Sequence, residues 1–189
     1  MIAKSQLRKQ IAAIRKSLSE ETVSLNSRHI VERILKLEPF QKAETIALYM
    51  AFGGEVELSP LFSICWELYK RTCIPVFNEQ TKIYEMAEIT AETKFKTGNY
   101  DIKEPENAHR IPMNAIDLML VPGVAFSTDG KRIGRGGGYY DRLLKGYQGT
   151  AVGVAFDEQI VAEIPCEAHD LPVDYIVTPS KIFIARNER

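Results

Sequence analysis

With 189 residues, 45% of them hydrophobic and 26% charged, and a formal net charge of -1, the chain has the balance of one soluble globular domain over residues 1–189. That balance excludes partners bound by bulk charge, so neither nucleic acid nor a membrane surface is expected. Cys65, Cys73 and Cys166 are odd in number and lack CxxC spacing, which argues against a disulfide framework or a zinc site and for a reducing, cytoplasmic setting.

The opening MIAKSQLRKQ has no apolar core for a signal peptide, and no apolar run approaches the ~20 residues of a membrane span. Leu7, Ile11, Ile14 and Leu18 recur at helical spacing among Lys4, Arg8, Lys9, Arg15 and Lys16, which predicts a basic amphipathic helix over 4–18. Ser19 as N-cap opens a second helix that runs to about Leu37 and stops before Pro39. Thr45 to Tyr49 reads as an apolar strand, closed by the turn Ala51-Phe52-Gly53-Gly54-Glu55. Ser59 caps, and Pro60 opens, a helix to Tyr69, and Thr72 to Phe77 is a further strand. Residues 82–89 read as an edge strand. From Thr93 to Pro112 the pattern fades into a polar loop punctuated by Gly98, Pro105 and Pro112.

Ala115 to Val121 is the clearest buried strand, stopped by Pro122-Gly123. Val124 to Phe126 is a short strand, turned by Asp129-Gly130 into a glycine-rich loop. Tyr139 to Leu144 is the helix that follows. Thr150 to Ala155 is a strand, Glu158 to Ile164 a short helix, and Tyr175 to Thr178 a last strand. The alternation predicts a single-domain α/β fold. Its central, mostly parallel sheet is flanked by helices and preceded by an N-terminal helical segment. Ligands of such sheets bind beyond the carboxyl ends of the strands. Glu55 follows the first strand, the glycine loop lies downstream of the central one, and Asp174 stands just before the last.

The loop itself runs Arg132-Ile133-Gly134-Arg135-Gly136-Gly137-Gly138-Tyr139-Tyr140-Asp141-Arg142, with four glycines and three arginines in eleven residues. Free amides in such a turn make an anion site, and arginines add bidentate donors for phosphate. Asp141 supplies a hard carboxylate of the kind Mg²⁺ prefers. The string is not a Walker A loop, because Gly130-Lys131 is followed by Arg132, and its glycines are too dense for a Rossmann fingerprint. Together these groups describe a Mg–nucleotide site. His29, His109 and His169 lack ligand spacing and read as structural or exposed.

The segment from Leu120 to Arg142 resembles the signature of the 5-formyltetrahydrofolate cyclo-ligase family, also called 5,10-methenyltetrahydrofolate synthetases. Lys4-Ser5-Gln6-Leu7-Arg8 resembles that family's first nucleotide-binding element. Tyr49-Met50 and Glu55 resemble its folate-binding turn, and Leu171-Pro172-Val173-Asp174 its late aspartate element. The match is weakest at about 80–112. Some members carry lysine where this chain has Gly137, which shifts phosphate load onto Arg135 or Arg132.

The resemblance implies ATP-dependent cyclisation of 5-formyltetrahydrofolate to 5,10-methenyltetrahydrofolate, with ADP and phosphate released and Mg²⁺ required. It implies an ATP site of Lys4, Arg8 and Arg132 to Tyr140: Arg132, Ile133, Gly134, Arg135, Gly136, Gly137, Gly138, Tyr139 and Tyr140. It further implies folate contacts from Met50, Glu55, Arg135, Gly136, Gly137, Gly138 and Tyr139, catalytic roles for Arg135 and Glu55, and a metal pair of Asp141 and Asp174. A monomer acting on small molecules is expected.

Each assignment has a plainer alternative. Lys4 and Arg8, four residues apart on one helix face, reach one phosphate or form a solvated basic face. Glu55 meets the pterin N–H edge, or Glu57 does. Met50 touches ligand or fills core. Tyr139 and Tyr140 stack on a ring or anchor the helix. Asp174 binds metal or caps backbone. Two other functions stay open at this level: a different ATP-dependent kinase or ligase on the same scaffold, and a nucleotide sensor without turnover.

Overall fold

A computed structural model of the chain describes residues 3–97, 103–106, 109–167 and 170–185. Gly98 and His169 lie outside them. The elements in chain order are α1 (Lys4–Ser17), α2 (Glu20–Leu35), α3 (Glu38–Lys42), β1 (Thr45–Ala47), α4 (Ser59–Glu67), β2 (Arg71–Asn78) and β3 (Ile83–Ile89). Then come β4 (Phe95–Thr97), β5 (Lys103–Pro105), β6 (Arg110–Ile111), β7 (Leu118–Pro122), β8 (Ala125–Ser127) and β9 (Arg132–Ile133). The chain continues through α5 (Tyr139–Leu144), β10 (Thr150–Val154), β11 (Ile160–Val161), β12 (Tyr175–Val177) and β13 (Ile182–Ile184).

Among the described residues the main sheet has eight strands in the order β13-β12-β10-β7-β1-β2-β3-β6. The five from β12 to β2 run parallel, β13 and β3 run antiparallel to them, and β6 pairs antiparallel with β3. Burial on both faces explains why β7 is apolar throughout and β1 apolar after Thr45. Leu118 and Leu120 face one core with Ile30, Ile34, Phe40 and Leu61, while Met119 and Val121 face a second core with Phe126, Leu143 and Leu144. Side chains alternate across a strand, so one short segment seals both layers. Burying each such leucine is worth about 1.5–3 kcal/mol.

Packing in the second core is tight. A Cβ placed on Gly153 would stand 2.6 Å from the Phe126 ring. Gly153→Ala is therefore expected to cost about 1–3 kcal/mol through overpacking. A lower urea midpoint at unchanged slope is the reading that shows it. A wild-type midpoint would mean that the ring gives way freely.

The chain leaves β1 through α4 for β2 on one side, and leaves β7 through α5 for β10 on the other. The order therefore reverses between β1 and β7. A crevice opens at their carboxyl ends, the usual place for a ligand in an open α/β sheet. A small sheet, β11-β8-β9, stands beside it. Leu7 and Ile11 of α1 pack there with Val124, Ala125, Ile133 and Ile164. Their spacing puts the apolar face of α1 on this sheet and carries its cations toward the crevice.

Several local expectations are corrected. The second helix does end before Pro39, at Leu35 and not Leu37, and Pro39 opens the separate helix α3, where its missing N–H costs nothing. Ser59 is not a cap but the first residue of α4, and its N–H is met by Glu57 Oε1 at 2.8 Å. Strand β3 is not an edge, because β6 pairs outside it. The loop from Thr93 to Pro112 holds β4, β5 and β6. The helix expected over 158–164 shrinks to one 3-10 turn. This turn at Asp157–Gln159 leads into β11, and the buried Gln159 amide donates to Gly123 O and Val124 O at 2.8 and 3.0 Å. That tertiary anchoring overrides local preference. Strands β9 and β13 go unforeseen.

Candidate active site

The hairpin of β8 and β9 launches the glycine loop, and Gly138 ends it in a left-handed conformation (φ 63) that leads into α5. Gly137 has a different constraint. A Cβ there would run into the Tyr139 ring, so any larger residue requires that ring to move. Tyr139 in turn lies against Tyr84, with centroids 4.6 Å apart, and under Arg142 at 5.1 Å.

A cavity of about 600 Å³ spreads over the loop. It is lined by Lys4 and Arg8 of α1, Glu55 of the β1 turn, the whole run from Arg132 to Asp141, and Asp170. A larger groove of about 990 Å³ lies between α1, α2 and the 53–57 turn, and Arg8 and Arg135 line both spaces. The crevice thus contains two adjoining compartments with a wall of arginines.

Arg135 joins the loop to the β1 turn. Its Nε and Nη2 donate to Glu55 Oε1 at 3.1 and 2.9 Å, and Nη2 also donates to Phe52 O at 2.6 Å. Its guanidinium stands 4.7 Å from the Phe52 ring centre. Arg135 is 46% exposed and Glu55 12%. A half-exposed pair of this kind is worth only about 0–1 kcal/mol, so a phosphate can exchange for it at little cost.

Arg132 is the opposite case. Its side chain is 3% exposed and pairs with Asp141 Oδ1 at 2.6 Å. Its Nε is a buried donor without a partner among the described residues. A buried unmet donor costs about 1–3 kcal/mol, which favours an acceptor arriving from outside. Arg8 Nε donates to Gly134 O at 2.8 Å and fixes α1 to the loop.

Lys4 Nζ pairs with Asp170 at 2.6 Å and with Glu167 at 3.0 Å. Burial works to lower the Lys4 pKa, but the bonds to Asp170 and Glu167 outweigh it and hold the ammonium above its ordinary range. Burial, reinforced by the Glu55 charge, drives the Tyr140 phenol far above its ordinary pKa. It remains a neutral hydroxyl in the wall. Burial also pushes the thiols of Cys65 and Cys73 to about 11 and about 12, so neither is a ready nucleophile.

The structure brings together Lys4, Arg8, Glu55, the loop and Asp141. It does not bring Asp174 to them. Strand register sets Asp174 at the amino end of β12, where its carboxylate accepts Ala151 N–H at 2.7 Å. Backbone capping is its visible role, and it is not among the residues that line the glycine-loop cavity. The late carboxylates that line the cavity are Glu167 and Asp170, the latter just before the Leu171–Asp174 segment. Met50 packs against the first core and lines neither compartment, so core filling is its visible role. Glu57, the rival of Glu55, accepts Ser59 N–H and lines the larger groove, whereas Glu55 lines the glycine-loop cavity. Ile133 is buried core at the border of the cavity. Arg15, unremarked among the helix cations, is buried against the turn: it donates to Gly54 O at 3.1 Å and also to Gly53 O. No group of three or more His, Cys, Asp or Glu suited to a metal occurs among the described residues. Two aspartates with ligand phosphates are enough for Mg²⁺. No described helix is long and apolar enough to cross a membrane.

Residues 1–179 match the 5-formyltetrahydrofolate cyclo-ligase family. The 5-formyltetrahydrofolate cyclo-ligase of Escherichia coli is 31% identical over 177 residues, covering 89% of this chain and 96% of its own. That of Haemophilus influenzae is 32% identical over 176 residues, covering 90% and 94%. The solved structure of Aquifex aeolicus 5,10-methenyltetrahydrofolate synthetase superposes with a TM-score of 0.88 at 35% identity, over 100% of this chain and 95% of that one. Signature loop, switch-point crevice and full-length similarity agree, and the chain belongs to the 5-formyltetrahydrofolate cyclo-ligase family.

Proposed function

We propose that the glycine-loop cavity holds the ATP phosphates of this enzyme and that the adjoining groove takes the folate, with Arg135 lining both and Glu55 beside it on the cavity side. The reaction is the family's ATP-dependent cyclisation of 5-formyltetrahydrofolate to 5,10-methenyltetrahydrofolate. The observation that carries the residue assignment is the Arg135–Glu55 pair, which ties the phosphate-type loop to the turn at the end of β1.

A formamide oxygen is a poor leaving group until it is phosphorylated. N10 of the folate then attacks the activated carbon, and phosphate departs. Such a transfer demands alignment and charge neutralisation more than an enzyme nucleophile. Loop amides, Lys4, Arg8 and Arg132 receive phosphate oxygens, and Arg135 moves from Glu55 to the transferring group. Glu55, once released, accepts from the pterin N–H groups. Asp141 and Asp170 are the residues to hold Mg²⁺, which supplies further charge neutralisation when bound. The same reading keeps the protein a cytoplasmic monomer.

The test is an absorbance assay for the methenyl product with 5-formyltetrahydrofolate, ATP and Mg²⁺, each omitted in turn. Product and ADP are expected only with all three present. Product at an undiminished rate after EDTA treatment would remove the metal from the proposal, and ADP release without product would favour a different ligase or kinase.

A further inference from the structure

The turn that presents Glu55 is held by side chains from three directions. Arg135 donates to Phe52 O, Ser27 of α2 accepts Glu57 N–H at 3.0 Å, and Arg15 of α1 donates to the carbonyls of Gly53 and Gly54. Glu55 Oε2 itself accepts Phe52 N–H at 3.2 Å, so its carboxylate moves with the turn. Gly53 and Gly54 both lie in the left-handed region, at φ 58 and 74. Two successive glycines have the most backbone freedom to lose, and such a turn needs an outside tie.

Arg15 is built for that tie. It follows Leu7 and Ile11 along the docked face of α1 and is 8% exposed. Burying a guanidinium is costly unless its donors are met, and here main-chain carbonyls meet them. Burial lowers the Arg15 pKa, Glu55 raises it and Arg135 lowers it, so the three groups share one electrostatic neighbourhood. The two arginines differ in what else they can reach. Arg135 lines both compartments, whereas Arg15 lines the groove and not the glycine-loop cavity.

We infer that Arg15 is a positioning residue for folate binding: it holds the Gly53 and Gly54 carbonyls, and through them the Glu55 carboxylate, when Arg135 leaves the turn for a phosphoryl oxygen. The inference rests on the roles proposed for Arg135 and Glu55. It assigns Arg15 no contact with the reacting atoms.

The experiment is a double-mutant cycle on the full-length chain with Arg15→Ala, Glu55→Gln and the pair together, reading KM for each substrate and Tm. Arg15→Ala is expected to raise KM for 5-formyltetrahydrofolate about tenfold or more, as for loss of charged hydrogen bonds, while KM for ATP holds. Arg15→Lys, which keeps the charge but not the fork, should recover part of the loss. The double variant should match Glu55→Gln in folate KM, because residues acting through one another are not additive. Independent, multiplying effects would overturn the inference. So would an equal rise in both KM values, or a lower Tm at unchanged KM, since either makes Arg15 merely structural. Unchanged folate KM in Glu55→Gln itself would instead remove the role given to Glu55, and this inference with it.

Discussion

Arg135→Ala is expected to abolish most turnover while leaving a folded protein. A positive charge aimed at a transferring phosphoryl group can be worth ~10³ or more in rate. The fold has little to lose, because the side chain is 46% exposed and its pair with Glu55 is of the weak, half-solvated kind. Rate and stability should therefore separate: kcat falls by orders of magnitude and Tm stays near the wild-type value. Arg135→Lys sharpens the test, since an ammonium keeps the charge but cannot donate in a planar fork. It is expected to fall between the two. A folded Arg135→Ala enzyme with near-normal kcat would exclude the role.

The second large effect is expected at Asp141, and it has two parts. Removing its charge leaves the Arg132 guanidinium buried without its acid, and breaking a buried pair in this way costs about 3–5 kcal/mol. Asp141→Asn should thus lower Tm clearly. It should also raise the Mg²⁺ concentration for half-maximal activity. Asp170→Asn tests the metal separately, because its contact with Lys4 bridges two segments and its carboxylate lines the same cavity. It is expected to raise the Mg²⁺ requirement as well. Asp174→Asn serves as the control, with a stability change from its backbone bond to Ala151 and an unchanged Mg²⁺ requirement. A raised requirement in Asp174→Asn alone would restore the aspartate that the strand register sets aside.

Local pattern carried most of the architecture. Apolar runs such as Leu118–Val121 mark strands buried on two faces, and Leu7 and Ile11 mark the docked side of α1. The glycine loop was legible for a different reason: so many arginines and glycines beside an aspartate exceed what a turn alone needs. What failed depended on partners far away in sequence. Residues Ile160 and Val161 form a strand because β8 offers an edge and Gln159 is anchored on Gly123 and Val124. Asp170 and Asp174 look alike in sequence. Only the register of β12 against β10 decides which of them closes a strand and which borders the cavity. Arg15 shares its helix with exposed cations, and its burial follows from the position of a turn about forty residues later.

Lys4 and Asp170 are 166 residues apart and meet at 2.6 Å. The entropy of closing a chain loop grows only with the logarithm of its length, so this distance adds little to the equilibrium cost. Its weight falls on time instead, because contacts between remote segments form late. The glycine loop is complete by Asp141, yet the cavity above it also needs a cation from the first turn of α1 and a carboxylate beyond β11. A refolding chain can thus possess its phosphate loop before it possesses the full pocket, and nucleotide competence marks the docking of two distant segments.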